Sequence, residues 1–179
     1  MLVGLVGCRD RVSIAPPTQT LGATLNSPAT DSEPEFSYDG RYLVFSSDRR
    51  NQRSVLLYDT QRRRLVRLPG LNKANAMQEQ PDISADGRFI AYISEEQGKP
   101  DVFVYDRATN RSERLTANLL GGVRNPTISG NGRFVAFESN RSGQWNIEIY
   151  DRGPRVDLSL PPGKQQPSPD APESSPESQ

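Results

Sequence analysis

Short apolar runs separated by polar, glycine-marked turns recur along this chain in a fixed phase. Tyr42-Leu43-Val44-Phe45, Phe89-Ile90-Ala91-Tyr92-Ile93 and Phe134-Val135-Ala136-Phe137 are near-continuous, as expected of strands buried on both faces in the middle of a sheet. Each run follows Asp39-Gly40-Arg41, Asp86-Gly87-Arg88 or Asn131-Gly132-Arg133. Asp-Gly and Asn-Gly supply the positive φ that a tight hairpin turn requires. A further run, Val55-Leu56-Leu57-Tyr58, Val102-Phe103-Val104-Tyr105 or Ile147-Glu148-Ile149-Tyr150, comes after a polar loop such as Ser47-Asp48-Arg49-Arg50-Asn51. More polar runs, Arg64-Leu65-Val66-Arg67-Leu68 and Ser112-Glu113-Arg114-Leu115-Thr116, read as fourth, outer-edge strands. Val156-Asp157-Leu158-Ser159-Leu160 takes that place in the last unit.

The spacing is regular. The turn glycines Gly40, Gly87 and Gly132 lie 47 and 45 residues apart, and each is followed 18 residues on by a Tyr-Asp pair, at Tyr58, Tyr105 and Tyr150. A period near 45 residues is the size of one four-stranded propeller blade. Pro34, Pro81 and Pro126 are expected at the start of each innermost strand, where a missing amide donor costs least. The pattern predicts an all-β chain of three four-stranded antiparallel propeller blades, at 33–78, 79–123 and 124–160, with little helix.

Pro-x-x-Ser-x-Asp-Gly-Arg, the aromatic-aliphatic-Ala-Phe run, Ser-x-x-Arg, Tyr-Asp and the closing Arg114-Leu115-Thr116 resemble the WD-like repeat of TolB-type periplasmic propellers over residues 33 to about 160. The resemblance implies a six-bladed TolB-like propeller, a periplasmic address and protein partners bound at the channel mouth. Only three repeats are present, half of such a ring, and the N-terminal domain of TolB proper is absent.

Each blade packs both faces on its neighbours, so three blades leave two terminal faces to be covered. A homodimer completing six blades, capping by the tails, or a truncated gene would each account for them. Leu21 precedes Pro34 by 13 residues as Leu68 precedes Pro81, so the segment from Leu21 to Asn26 could serve as a strand of an adjacent blade.

Composition narrows the chemistry. Lys plus Arg and Asp plus Glu both number 22, so no global field draws the chain to nucleic acid. There is no histidine and one cysteine, Cys8, which removes the usual zinc sites, Ser-His and Cys-His pairs and any internal disulfide. No two carboxylates are spaced as an acid and base pair. No catalytic residue, metal or cofactor is expected.

Residues 1–7 are apolar, and Leu5-Val6-Gly7-Cys8 resembles a bacterial lipobox, with Cys8 the lipid attachment site. Residues 1–8 then read as the remnant of a lipoprotein signal peptide whose basic n-region is missing. The competing reading is a chance match. Residues 9–32 are composed as a tether with room for one extra strand, and 161–179, rich in Pro and Ser, as a disordered tail.

Glu33, Gln80 and Asn125 precede the three prolines and should line one end of the channel as a partner-binding surface. From Arg41 to Arg67 there are eight arginines, Arg41, Arg49, Arg50, Arg53, Arg62, Arg63, Arg64 and Arg67, against Asp48 and Asp59. Brought together they could bind phosphate, lipid headgroups or an acidic partner; otherwise they are a solvated rim. The Tyr-Asp pairs read as packing and turn elements, and Trp145 as a blade anchor or part of a dimer contact. The function expected is a non-enzymatic binding module of the cell envelope, membrane-anchored through Cys8, that engages a protein or cell-wall partner and no specific nucleic acid. The alternatives are an accessory propeller of a serine hydrolase system and an electrostatic binder of anionic lipid or nucleic acid.

Overall fold

The computed structural model describes residues 24–154 except Arg50, together with Val156. Cys8, most of the tether and the 161–179 tail therefore lie outside the described residues. Eleven strands and no helix are found within them: β1 Asp31–Phe36, β2 Tyr42–Ser47, β3 Ser54–Asp59, β4 Arg64–Val66, β5 Gln78–Ile83, β6 Phe89–Ser94, β7 Asp101–Asp106, β8 Arg111–Arg114, β9 Val123–Ile128, β10 Phe134–Ser139 and β11 Asn146–Asp151. They form three antiparallel meanders, β1-β2-β3-β4, β5-β6-β7-β8 and β9-β10-β11. Of the expected last strand only Val156 is described, packed beside Leu119 against the core. Residues 24–26 are not in a strand, and Leu25 lies instead over Leu43, Phe45 and Leu56.

The Ser-x-Asp-Gly-Arg motif closes each β1–β2-type hairpin in one way. The Ser37 hydroxyl donates to the Asp39 carboxylate (2.8 Å) and accepts from the Tyr42 amide (3.0 Å), while Asp39 also accepts from the Arg41 amide. Ser84 with Asp86 and Ser129 with Asn131 repeat the arrangement. These donors, the Arg41 amide first, hold the Asp39 carboxyl below its ordinary range. Only the glycine of each turn is left-handed, at φ 67°, 75° and 78°.

Side chains of the middle strands alternate between two seams. Val44, Val55 and Leu57 of sheet 1 meet Ile83, Ile90, Tyr92, Phe103 and Tyr105 of sheet 2. Phe89, Ala91, Ile93, Val102 and Val104 on the other side of sheet 2 meet Val123, Ile128, Val135 and Phe137 of sheet 3. Sheet 2 is thus buried on both faces, as its continuous apolar runs predict. The outer face of sheet 3 has no such cover among the described residues, and β10 is buried only at alternate positions.

Both seams carry the same aromatic clamp. Tyr42 lies under its own Arg41 (5.0 Å to the ring centroid) and under Arg107 of the next sheet (4.2 Å). Phe89 lies under Arg88 (4.8 Å) and Arg152 (4.6 Å). Each ring also fills the space where a neighbouring glycine lacks a side chain: a Cβ on Gly87 would fall 2.5 Å from Tyr42, and one on Gly132 2.3 Å from Phe89. Arg107 and Arg152 donate in turn to the Gly87 and Gly132 carbonyls, one within each sheet.

The prolines differ from expectation. Pro34, Pro81 and Pro126 occupy the fourth place of their six-residue strands, at a register slip between Ser32 and Glu35, Glu79 and Asp82, and opposite Ala136 and Glu138. A bulge already breaks the ladder there, so the absent amide loses nothing, and the strand can begin three residues earlier.

A Cβ on Gly40 would meet no atom within 4 Å, unlike one on Gly132. Within a single chain Gly40→Ala is expected to cost only the left-handed strain, about 1 kcal/mol, and Gly132→Ala about 2 kcal/mol more through overpacking on Phe89. Urea denaturation of the two variants against wild type measures the difference.

Candidate partner-binding surface

The inner strands β1, β5 and β9 lie side by side at one edge of the stack. The residue before each proline is held left-handed by the bulge, Glu33 at φ 56°, Gln80 at 52° and Asn125 at 50°. Its side chain reaches the next sheet: Glu33 Oε2 accepts from the Gln80 amide (2.8 Å), and Gln80 Oε1 from the Asn125 amide (2.7 Å). Asn125 ends the relay, its Nδ2 donating to Glu138 within sheet 3 (2.9 Å). Asp82 adds a parallel link, accepting from the Thr127 hydroxyl and the Ile128 amide (both 2.7 Å).

The structure thus brings Glu33, Gln80 and Asn125 together. With Glu35, Asp82 and Thr127 they line one concavity of about 340 Å³. Its walls carry three carboxylates, so it presents a negative, hydrogen-bond-accepting surface suited to cationic or amide-rich groups. Glu79 lies beside it; burial, reinforced by the negative charge of Glu33, raises its carboxyl above the ordinary range.

The arginines of the two loops are not brought together. The β2–β3 loop with Arg49 and Arg53 and the β3–β4 turn with Arg62 and Arg63 leave opposite ends of β3. Arg49 is a buried strut, donating to the Thr24 and Leu25 carbonyls (both 2.8 Å) and the Asp31 carboxylate (2.9 Å). Arg53 sits among Glu33, Asp48 and Glu79 at 3.3 to 3.5 Å. Arg50 lies outside the described residues. Arg62, Arg63 and Arg64 are exposed, Arg63 as the left-handed residue of its turn and Arg62 beside Asp59.

The Tyr-Asp pairs are structural: Asp59, Asp106 and Asp151 pair with Arg41, Arg88 and Arg133, the arginines of the turn motif. Trp145 packs on Gly122, just ahead of β9, and under Arg124 (4.0 Å). Sequence reasoning missed Arg107 and Arg152, although an arginine directly after Tyr-Asp in two units, with Thr60 in the first, marked the position. It also missed Asp101, fully buried against Arg114, Lys99 and Thr116, which explains the closing Arg-Leu-Thr. In the first unit Asn72 replaces that anchor by bonding both backbone groups of Val55. No group of three His, Cys, Asp or Glu among the described residues could hold a metal ion.

Repeated antiparallel meanders stacked face to face, two of four strands and one of three among the described residues, with bulged inner strands along a shared edge, mark a β-propeller architecture. The TolB beta propeller domain family matches residues 17–172, and the chain belongs to that family. No curated protein matches it. Among solved structures it is similar to TolB from Acinetobacter baumannii (21% identity, TM-score 0.60, 73% of this chain and 32% of that one) and to a putative TolB from Agrobacterium tumefaciens (20%, 0.58, 73% and 46%). It is also similar to the β-propeller domain of the Trilobed protease from Pyrococcus furiosus (16%, 0.50, 69% and 40%). The chain spans less than half of each, and at these identities the likeness is one of fold.

Gln80→Ala removes the acceptor of the Asn125 amide and is expected to speed its hydrogen exchange, with a loss of about 0.5–1 kcal/mol of stability; Asn125→Ala should leave the Gln80 amide protected. Native-state exchange by NMR reads both. A second expectation concerns pH. Arg133, with the Gly153 amide, lowers the Asp151 pKa from 3.8 to about 2. The contact therefore supports the fold above the ordinary carboxyl range and is lost as pH falls toward 2. In Arg133→Ala the Asp151 titration, followed by NMR, is expected to move up toward 3.8.

Proposed function

We propose that this chain is half of a six-bladed TolB-like propeller that acts without catalysis in the bacterial envelope, binding a protein or cell-wall partner at its inner-strand concavity. The observation that carries this reading is the convergence of Glu33, Gln80 and Asn125, equivalent in position and different in identity, on one acceptor-rich surface. A purely structural role would be met by the same residue three times. Family membership supports a periplasmic address, and a lipidated Cys8 would hold the module at a membrane.

The test has two parts. A photo-crosslinking amino acid at exposed Glu35 is expected to give a discrete adduct with an envelope component, reduced by Asn125→Lys. Cys8→Ala, expressed with the upstream reading frame, is expected to move the protein from the membrane to the soluble fraction. Absence of any adduct removes the binding surface, unchanged fractionation removes the anchor, and peptide hydrolysis by the purified chain would replace the reading with an enzymatic one.

A second reading has one observation of its own: Arg62, Arg64, Arg67 and Arg107 line a groove of about 330 Å³ around Asp59. An anion bound there would be released by salt and lost in Arg62→Ala/Arg64→Ala. The accessory-propeller reading draws on the Trilobed protease domain and requires a hydrolase partner.

A further inference from the structure

We propose that the two terminal faces of the stack bind each other between two copies of this chain, sheet 3 of each copy seating on sheet 1 of the other about a two-fold axis. This rests on the propeller reading of the fold and is independent of the envelope partner.

The outer face of sheet 3 is composed largely as a seam, with Glu138, opposite Ile147, standing where sheet 2 has Ile93. Ile147 and Ile149 are 69% and 71% exposed, whereas their equivalents Val55 and Val102, Leu57 and Val104 are at most 1% exposed because the next sheet covers them. Phe134, equivalent to the clamped rings of Tyr42 and Phe89, has its own Arg133 at 4.9 Å and is 40% exposed. What covers this face at both internal seams is another sheet of the same repeat, led by a turn glycine that fits against the ring.

Sheet 1 offers that counterpart. Gly40 has the left-handed turn of Gly87 and Gly132 and open space where they meet a ring. Phe36 is 59% exposed, while its equivalents Ile83 and Ile128 are 5% and 7% exposed at internal seams. Beside it Leu25, Pro34, Leu43 and Phe45, with Asn26, Asp31 and Ser32 at the polar side, line a groove of about 210 Å³. Leu25 packs on this face as Leu71 and Leu119, from the linkers between units, pack at the internal seams, so the entering segment completes the surface. The polar relay continues in the same direction: with Nδ2 of Asn125 held by Glu138, its Oδ1 is placed to accept the Glu33 amide of a second copy, as Gln80 accepts that of Asn125.

A two-fold axis makes two identical seams from one pair of faces, and once the first has formed the second costs no further translational freedom. Thr60 stands where Arg107 and Arg152 complete the internal clamps, which makes this contact the weakest of the set and compatible with reversible association.

The experiment is light scattering and sedimentation of the full chain under reducing conditions, so that Cys8 forms no disulfide. Wild type is expected at twice 19.9 kDa, with no larger species at high concentration. Ile147→Asp/Ile149→Asp alters side chains already exposed, and Gly40→Asn, which tolerates the left-handed turn, places a side chain only where a second copy's Phe134 would sit. Each is expected to weaken the dimer at least about tenfold while the circular dichroism of the sheets is kept. A wild-type monomer, an open series of larger assemblies, or a dimer untouched by both variants overturns the proposal.

Discussion

The architecture depends on an aromatic ring held between two arginines and a glycine. Tyr42 and Phe89 each lie under one guanidinium from their own turn and one from the following unit, with a left-handed glycine pressed on the ring. A single meander has no second layer on which to bury its apolar faces. Stability comes from the seam, and the clamp fixes how one sheet is placed on the next. An arginine near a ring contributes about 0.5–1 kcal/mol at a partly exposed site, modest beside the apolar contact, but its geometry selects one register. The carboxylates of the Tyr-Asp pairs hold the turn arginines in place, so the most repetitive part of the sequence is also the most connected.

This explains why the fold was legible and the details of the site less so. The strands could be read because sheet 2 is buried on both faces and its apolar runs are continuous, and the turns because Asp-Gly and Asn-Gly favour the left-handed φ they require. The bulge could not be read, since Glu33, Gln80 and Asn125 have no side-chain preference that marks a left-handed position in advance, Asn125 excepted. Hence the prolines were expected at strand starts and lie inside strands. Charge misled in a different way: eight arginines between Arg41 and Arg67 look like a patch, but a six-residue strand puts the two loops at opposite ends, and Arg49 is consumed by the Thr24 and Leu25 carbonyls.

The same bulge couples the fold to the concave surface. By turning one residue of each inner strand out of the ladder, it frees a side chain to bond the amide of the next unit and leaves that side chain on the concave surface. Position is therefore fixed by the backbone while identity can vary, which is how a repeat protein presents a non-repetitive surface. A substitution here acts on the relay and on the concavity together, whereas Glu35 lines the concavity and makes none of the relay bonds.

The ends of the stack show the same economy from the other side. The first and third units keep the residues of a seam on faces that the described residues leave uncovered, Phe36 and Gly40 at one end and Phe134, Ile147 and Ile149 at the other. Exposed aliphatic side chains of this size on a flat sheet face favour association, and a repeat protein ordinarily replaces them by polar residues in a capping unit. Here polar groups enter at Thr60, which removes a cation from the rim, and at Glu138, which stands where sheet 2 has Ile93 and lies opposite Ile147, while Phe134, Ile147 and Ile149 remain. A contact so altered is weaker than the internal seams yet retains their register, because the ring and the glycine, which set the register, are both still there.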